Sequence, residues 1–182
     1  MNSKQKGIFC LEGLWDTDLR KTSTVRPILE LLRANCDIEY IYRDCATREE
    51  FEFYIKKWSQ KTYNAYPVLY LAFHGEEFGL RIGSYPYDLD DLANLLEKKC
   101  YHRIIIFGSC STLRVDKRHL KRFLRKTEAL AICGYRTDID WMRSAAFELL
   151  LLSEIKENKF DGRGIKAIER KVSEVAKLFR EL

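Results

Sequence analysis

No stretch of this 182-residue chain is apolar for long enough to cross a bilayer. The longest such run, Val68 to Phe73, falls far short of the roughly 20 residues a membrane helix needs. The opening residues, Met1 to Lys6, contain no apolar signal region. A cytoplasmic protein without membrane contact is therefore expected. The six cysteines (10, 36, 45, 100, 110 and 133) form neither a C-x-x-C pair nor a regular metal-ligand spacing. That argues against a structural zinc site and, in a cytoplasmic setting, for reduced thiols. No G-x-G-x-x-G segment and no P-loop are present, so nucleotide binding by those routes has no support. Pro/Gly/Ser-rich linkers, internal repeats and low-complexity tracts are also missing. One domain over residues 1–182 is the simplest reading, with no metal and no cofactor.

What is present belongs to a globular chain: 46% hydrophobic and 32% charged residues. Charge is uneven, with 14 Lys/Arg against 16 Asp/Glu in residues 1–100 and 18 against 11 in residues 101–182. A basic second half would attract nucleic acid or an acidic partner. No nucleic-acid motif accompanies it, so solvated helix faces are the first reading.

Buried-type strands are expected at 8–12, 68–73, 104–107 and 129–135, with an alternating one at 37–42. Between them lie amphipathic helices. One starts at an N-cap Thr24 and ends at Asn35. A second follows the capping-box pattern Thr47/Glu50, with Phe51, Tyr54, Ile55 and Trp58 inward. Others open at Asp90 or Asp91 and near Asp116. A short hairpin is expected after His74. A largely buried helix should run from about Asp140 to Ser153, with a final amphipathic helix after the break at Gly162-Arg-Gly164. Strands alternating with helices imply an α/β fold, a mostly parallel sheet covered on both faces by helices. The C-terminal helices, about 140–182, would pack on that sheet.

Two of the buried strands end alike. Val68–Phe73 delivers His74 and Gly75; Ile104–Phe107 delivers Gly108, Ser109 and Cys110. Ligands and chemistry gather at the carboxyl ends of strands in open α/β sheets. A cysteine attacks as its thiolate and needs a base nearby. Of the three histidines, His102 precedes its strand and His119 lies on a charged helix face, so only His74 can share a sheet edge with Cys110. The backbone N–H groups of Gly75 and Cys110, at strand ends, would be placed to bind an oxyanion. Other thiol and hydrolase patterns fit less well. A tyrosine-phosphatase loop needs Arg where Asp116 stands, and a G-x-C-x-G elbow needs Gly where Thr112 stands.

The segments LYLAFHGEE (69–77), DLDDLANLL (88–96) and IIIFGSCS (104–111) resemble the caspase-like (clan CD) cysteine peptidases. The closest style is that of the bacterial CHAT and separase-type members. The likeness covers roughly residues 65–150 and includes ICGYRTDIDWMRSAAF (132–147). The resemblance implies a caspase-like three-layer α/β/α sandwich, with His74 as general base and Cys110 as nucleophile in peptide-bond cleavage of a protein or peptide substrate. The caspase signature Gln-Ala-Cys is replaced by Gly-Ser-Cys, so aspartate specificity does not carry over. Carboxylates in the loops flanking the site, Glu12, Asp16, Asp18, Asp138 and Asp140, would suit a basic substrate side chain. Asp140 reads equally as a helix N-cap, and Arg20 and Arg136 oppose that preference. A regulatory protein partner would position or release such an enzyme. The alternatives are a catalytically silent caspase-like interaction module in signalling or defence, and a basic nucleic-acid-associated module using the Lys117–Lys126 face.

Overall fold

The computed structural model describes residues 6–156 and 158–179. The N-terminal segment expected to lack a signal region is mostly outside the described residues, as are residues 180–182. Five parallel strands make the central sheet: β1 (Ile8–Glu12), β2 (Tyr40–Asp44), β3 (Val68–Ala72), β7 (Ile104–Phe107) and β8 (Ala131–Gly134). Their order is β2-β1-β3-β7-β8. β1, β3 and β7 are buried along their whole length, whereas the edge strands β2 and β8 are partly exposed. That is why the three inner strands read as continuous apolar runs.

Successive side chains of the inner strands enter different layers. Phe9, Leu11, Leu69, Leu71, Ile105 and Phe107 pack under α2 (Arg48–Trp58), α3 (Leu89–Leu95) and α4 (Lys117–Thr127). Ile8, Cys10, Val68, Tyr70, Ile104 and Ile106 pack under α1 (Arg26–Cys36), α5 (Trp141–Lys156) and α6 (Gly162–Leu178). The result is a three-layer α/β/α sandwich. Between β3 and α3 the chain forms a small antiparallel sheet of β4 (His74–Glu76), β5 (Gly79–Ile82) and β6 (Tyr85–Asp88).

Several local expectations shift. The predicted hairpin has three strands, and His74 opens the first of them. β2 starts at Tyr40 rather than Asp37, because Asp37 takes a left-handed C-cap conformation at the end of α1. The Thr47/Glu50 capping box is present in full. Thr24 is not the N-cap of α1; Val25 holds that position, and the Thr24 hydroxyl donates to Glu12. Gly162 and Gly164 do not separate two helices. They form the first turn of α6, whose N-cap Asp161 accepts from Arg163 and Gly164 N–H. α5 is less buried than its apolar composition implies. Its first turn is exposed, and Glu148, Leu151, Leu152 and Ile155 are the positions that face inward.

Candidate active site

Going from β1 the chain crosses to β2 on one side, and from β3 to β7 on the other, so the β1/β3 boundary is the switch point of the sheet. The carboxyl ends of β1, β3, β7 and β8 surround a cavity of about 210 Å³ there, and both His74 and Cys110 line it. The strands that deliver them are hydrogen-bonded neighbours, with Leu71 beside Phe107. Chain order alone does not fix that adjacency, and it is what lets the two side chains share one edge of the sheet.

Two small residues tie the strand ends together. The buried Ser109 hydroxyl donates to the Leu71 carbonyl at 3.3 Å and accepts from Phe73 N–H at 3.3 Å. A Cβ on Gly75 would lie 1.6 Å from the Cys110 carbonyl oxygen, so only glycine lets β4 pass this close to the cysteine turn. Thr112 donates to the Gly79 carbonyl at 3.1 Å, joining that turn to β5. Ser111 sits at φ +56°, a left-handed conformation costing on the order of 1 kcal/mol for a non-glycine residue. Its N–H donates to Thr137 and its hydroxyl to Asp138 at 2.8 Å, which hold it there.

The His74 side chain is exposed and lies edge-on to Trp15, which in turn meets Trp141 edge-on at 4.7 Å. His74 Nε2 lies 2.8 Å from the Trp15 carbonyl oxygen. A carbonyl only accepts, so Nε2 carries the proton in this contact. In the neutral ring Nδ1 is then the basic nitrogen. The Cys110 thiol donates to the Ile139 carbonyl, 3.7 Å away. Among the described residues the two side chains share one cavity wall without bonding each other.

Glu12, only 2% exposed, holds the loop that supplies Trp15. Its carboxylate accepts from Trp15 Nε1–H at 2.5 Å, Thr24 at 2.6 Å and Val25 N–H at 2.8 Å, and lies 2.5 Å from the Tyr42 hydroxyl. Asp16 pairs with Lys21 at 2.7 Å, and Asp18 with Arg20 at 2.9 Å. Asp138 holds Ser111, and Asp140 caps α5 by accepting from Met142 and Arg143 N–H. Each carboxylate singled out in the sequence thus has a partner within the chain, and none of the five lines the cavity beside Cys110.

One carboxylate that sequence reasoning passed over does line it. Glu148 on α5 is 3% exposed and accepts from the Tyr70 hydroxyl through Oε2 and from Tyr135 at 3.0 Å through Oε1. A Cβ on Gly108 would come within 3.2 Å of Oε1, which places the carboxylate under the turn leading to Cys110. Burial raises its pKa to about 7, against the lowering effect of the two tyrosine hydroxyls. Its signal was in the sequence: Glu148 precedes Leu151, Leu152 and Ile155 by three, four and seven residues, which puts an acid on the buried face of an apolar helix.

The other thiols are placed differently. Cys10, Cys45 and Cys100 are buried in the core. Burial pushes Cys45 and Cys100 up to about 12 and Cys133 to about 11. Cys36 ends α1, which leads from the carboxyl end of β1 back to the amino end of β2, away from the cavity. No cluster of three or more metal-ligating side chains occurs among the described residues.

The fold and cavity define an α/β/α protein with a thiol and an imidazole at the switch point of a parallel sheet. The chain belongs to DUF6642, a family of unknown function, whose family model matches residues 5–178. Comparison with curated proteins gives no match.

Proposed function

We propose that this chain is a caspase-like cysteine endopeptidase in which Cys110 is the nucleophile and His74 the general base. The observation that carries the reading is the convergence of the two side chains on one cavity from adjacent strands, with His74 held so that Nδ1 is free to take a proton. The likeness of 69–77 and 104–111 to clan CD peptidases supports it.

In this mechanism His74 takes the Cys110 proton and the thiolate attacks the scissile carbonyl carbon, forming a C–S bond. The carbonyl π electrons move to oxygen, and the N–H groups of Gly75 and Cys110 stabilise that oxyanion. The intermediate collapses, the C–N bond breaks, and the amine leaves with the proton His74 took. Water, deprotonated by His74, then releases the acyl group and regenerates the thiol. No metal or organic cofactor is required, and the substrate is a protein or peptide.

Digestion of a peptide library read by mass spectrometry tests the reading. Cleavage by the wild type is expected, with Cys110→Ala abolishing it and His74→Ala reducing it at least about a hundredfold. Cleavage that survives Cys110→Ala would contradict it.

A further inference from the structure

Glu148 has no role in the chemistry just described, yet among the described residues it is the one buried carboxylate facing the cavity whose rim carries Cys110 and His74. Much of the wall around it is apolar or aromatic, with Trp15, Ile28, Phe73, Ile139, Trp141 and Ala145, and Ser109 and Ser144 add neutral hydroxyls. An ionised carboxylate offers about four lone-pair sites. Tyr70 occupies one on Oε2 and Tyr135 one on Oε1, leaving capacity on each oxygen. No lysine or arginine forms an ion pair with Glu148 among the described residues, although ten such pairs form elsewhere among them. A buried carboxylate without a counter-charge is costly.

We infer that this cavity is a recognition pocket for a positively charged substrate side chain, arginine or lysine, with its aliphatic stem against the aromatic walls and its cationic head on Glu148. A guanidinium presents paired N–H donors that match one free site on each carboxylate oxygen, a geometry neutral side chains do not offer. The cation supplies the counter-charge that the fold withholds. Burial alone holds the carboxyl partly protonated near neutral pH, so the empty pocket avoids an isolated charge. The inference deepens the peptidase reading and rests on it for one point: that the bound side chain belongs to the residue preceding the scissile bond.

Binding separates the two claims. The probes are n-butylguanidinium and its uncharged isostere n-butylurea, titrated into full-length wild type and Cys110→Ala. Calorimetry and tryptophan fluorescence are the readouts, since Trp15 and Trp141 line the cavity. Butylguanidinium is expected to bind both proteins at least about tenfold more tightly than butylurea. Glu148→Gln, checked for folding by circular dichroism, is expected to erase that ratio. Equal affinity for the two probes, or no saturable binding of either, overturns the pocket, and this wild-type comparison stands even if Glu148→Gln does not fold. A reactive Cys110 without cation preference removes the pocket and leaves the peptidase; cation binding beside an inert Cys110 does the reverse.

Discussion

Glu12 and Glu148 are both buried carboxylates at the carboxyl edge of the sheet, and the fold treats them differently. Glu12 is surrounded by donors from its own loop and from β2; Glu148 has two tyrosine hydroxyls and a burial penalty. The groups facing Glu148 are Tyr70 on β3, Tyr135 after β8, Cys10 on β1 and Cys133 on β8. All have pKa values pushed up, chiefly by burial, and stay neutral through the range in which Glu148 titrates. Its pKa is raised from 4.5 to about 7. The folded protein therefore holds a proton that the unfolded chain releases. The corresponding stability is complete below about pH 4.5 and is lost as pH rises through about 7, on the order of 3 kcal/mol. Urea unfolding at pH 5 and pH 8 should show that loss in the wild type, and Glu148→Gln should flatten it. An unchanged slope in the variant would remove the assignment.

At the scale of elements, the pairing of β4 with the cysteine turn makes a demanding test. Gly75→Ala places a Cβ on the Cys110 carbonyl, and the backbone there has little room to yield. A loss of about 2 kcal/mol or more is expected, with Cys110 reactivity falling further than stability alone explains. A variant with wild-type melting and wild-type reactivity would show that the two segments are not so joined. Arg103, before β7, makes a second test. Its guanidinium donates to the Trp58 and Gln60 carbonyls and to Asn64 Oδ1, and stacks on Trp58. Arg103→Met strands those acceptors at the end of α2 and should cost about 2–4 kcal/mol in denaturant unfolding.

These elements also show what the sequence could convey. The inner strands were legible because burial on both faces leaves an uninterrupted apolar run, and α2 because its capping box and its Phe51/Ile55/Trp58 stripe agree. The start of β2 was not, since the alternation of Ile38, Tyr40 and Tyr42 begins directly after Asp37, the left-handed residue that ends α1. The His74/Cys110 pair was legible from strand ends and chain order. The spacing of Glu148 from Leu151, Leu152 and Ile155 carried its signal, but α5 is apolar at most positions, so spacing alone did not single out the face that meets the sheet. The loop carboxylates had the opposite history: their number was visible, while their partners Lys21, Arg20, Ser111 and Thr24 depend on loop geometry.

At the scale of the whole molecule, the parallel sheet gathers the ends of β1, β3, β7 and β8 at one cavity, while helices cover both faces. No helix among the described residues is long and apolar enough to cross a membrane. On the proposed chemistry, proteolysis should persist in excess EDTA and be lost to iodoacetamide; inhibition by the chelator would contradict a thiol mechanism that needs no metal.

The central claim is that His74 activates Cys110, and labelling with a peptide acyloxymethyl ketone, mapped by mass spectrometry on all six cysteines, tests it most directly. Selective modification of Cys110, largely abolished by His74→Ala, is the expected result. Comparable labelling of several cysteines, unaffected by His74→Ala, would contradict it.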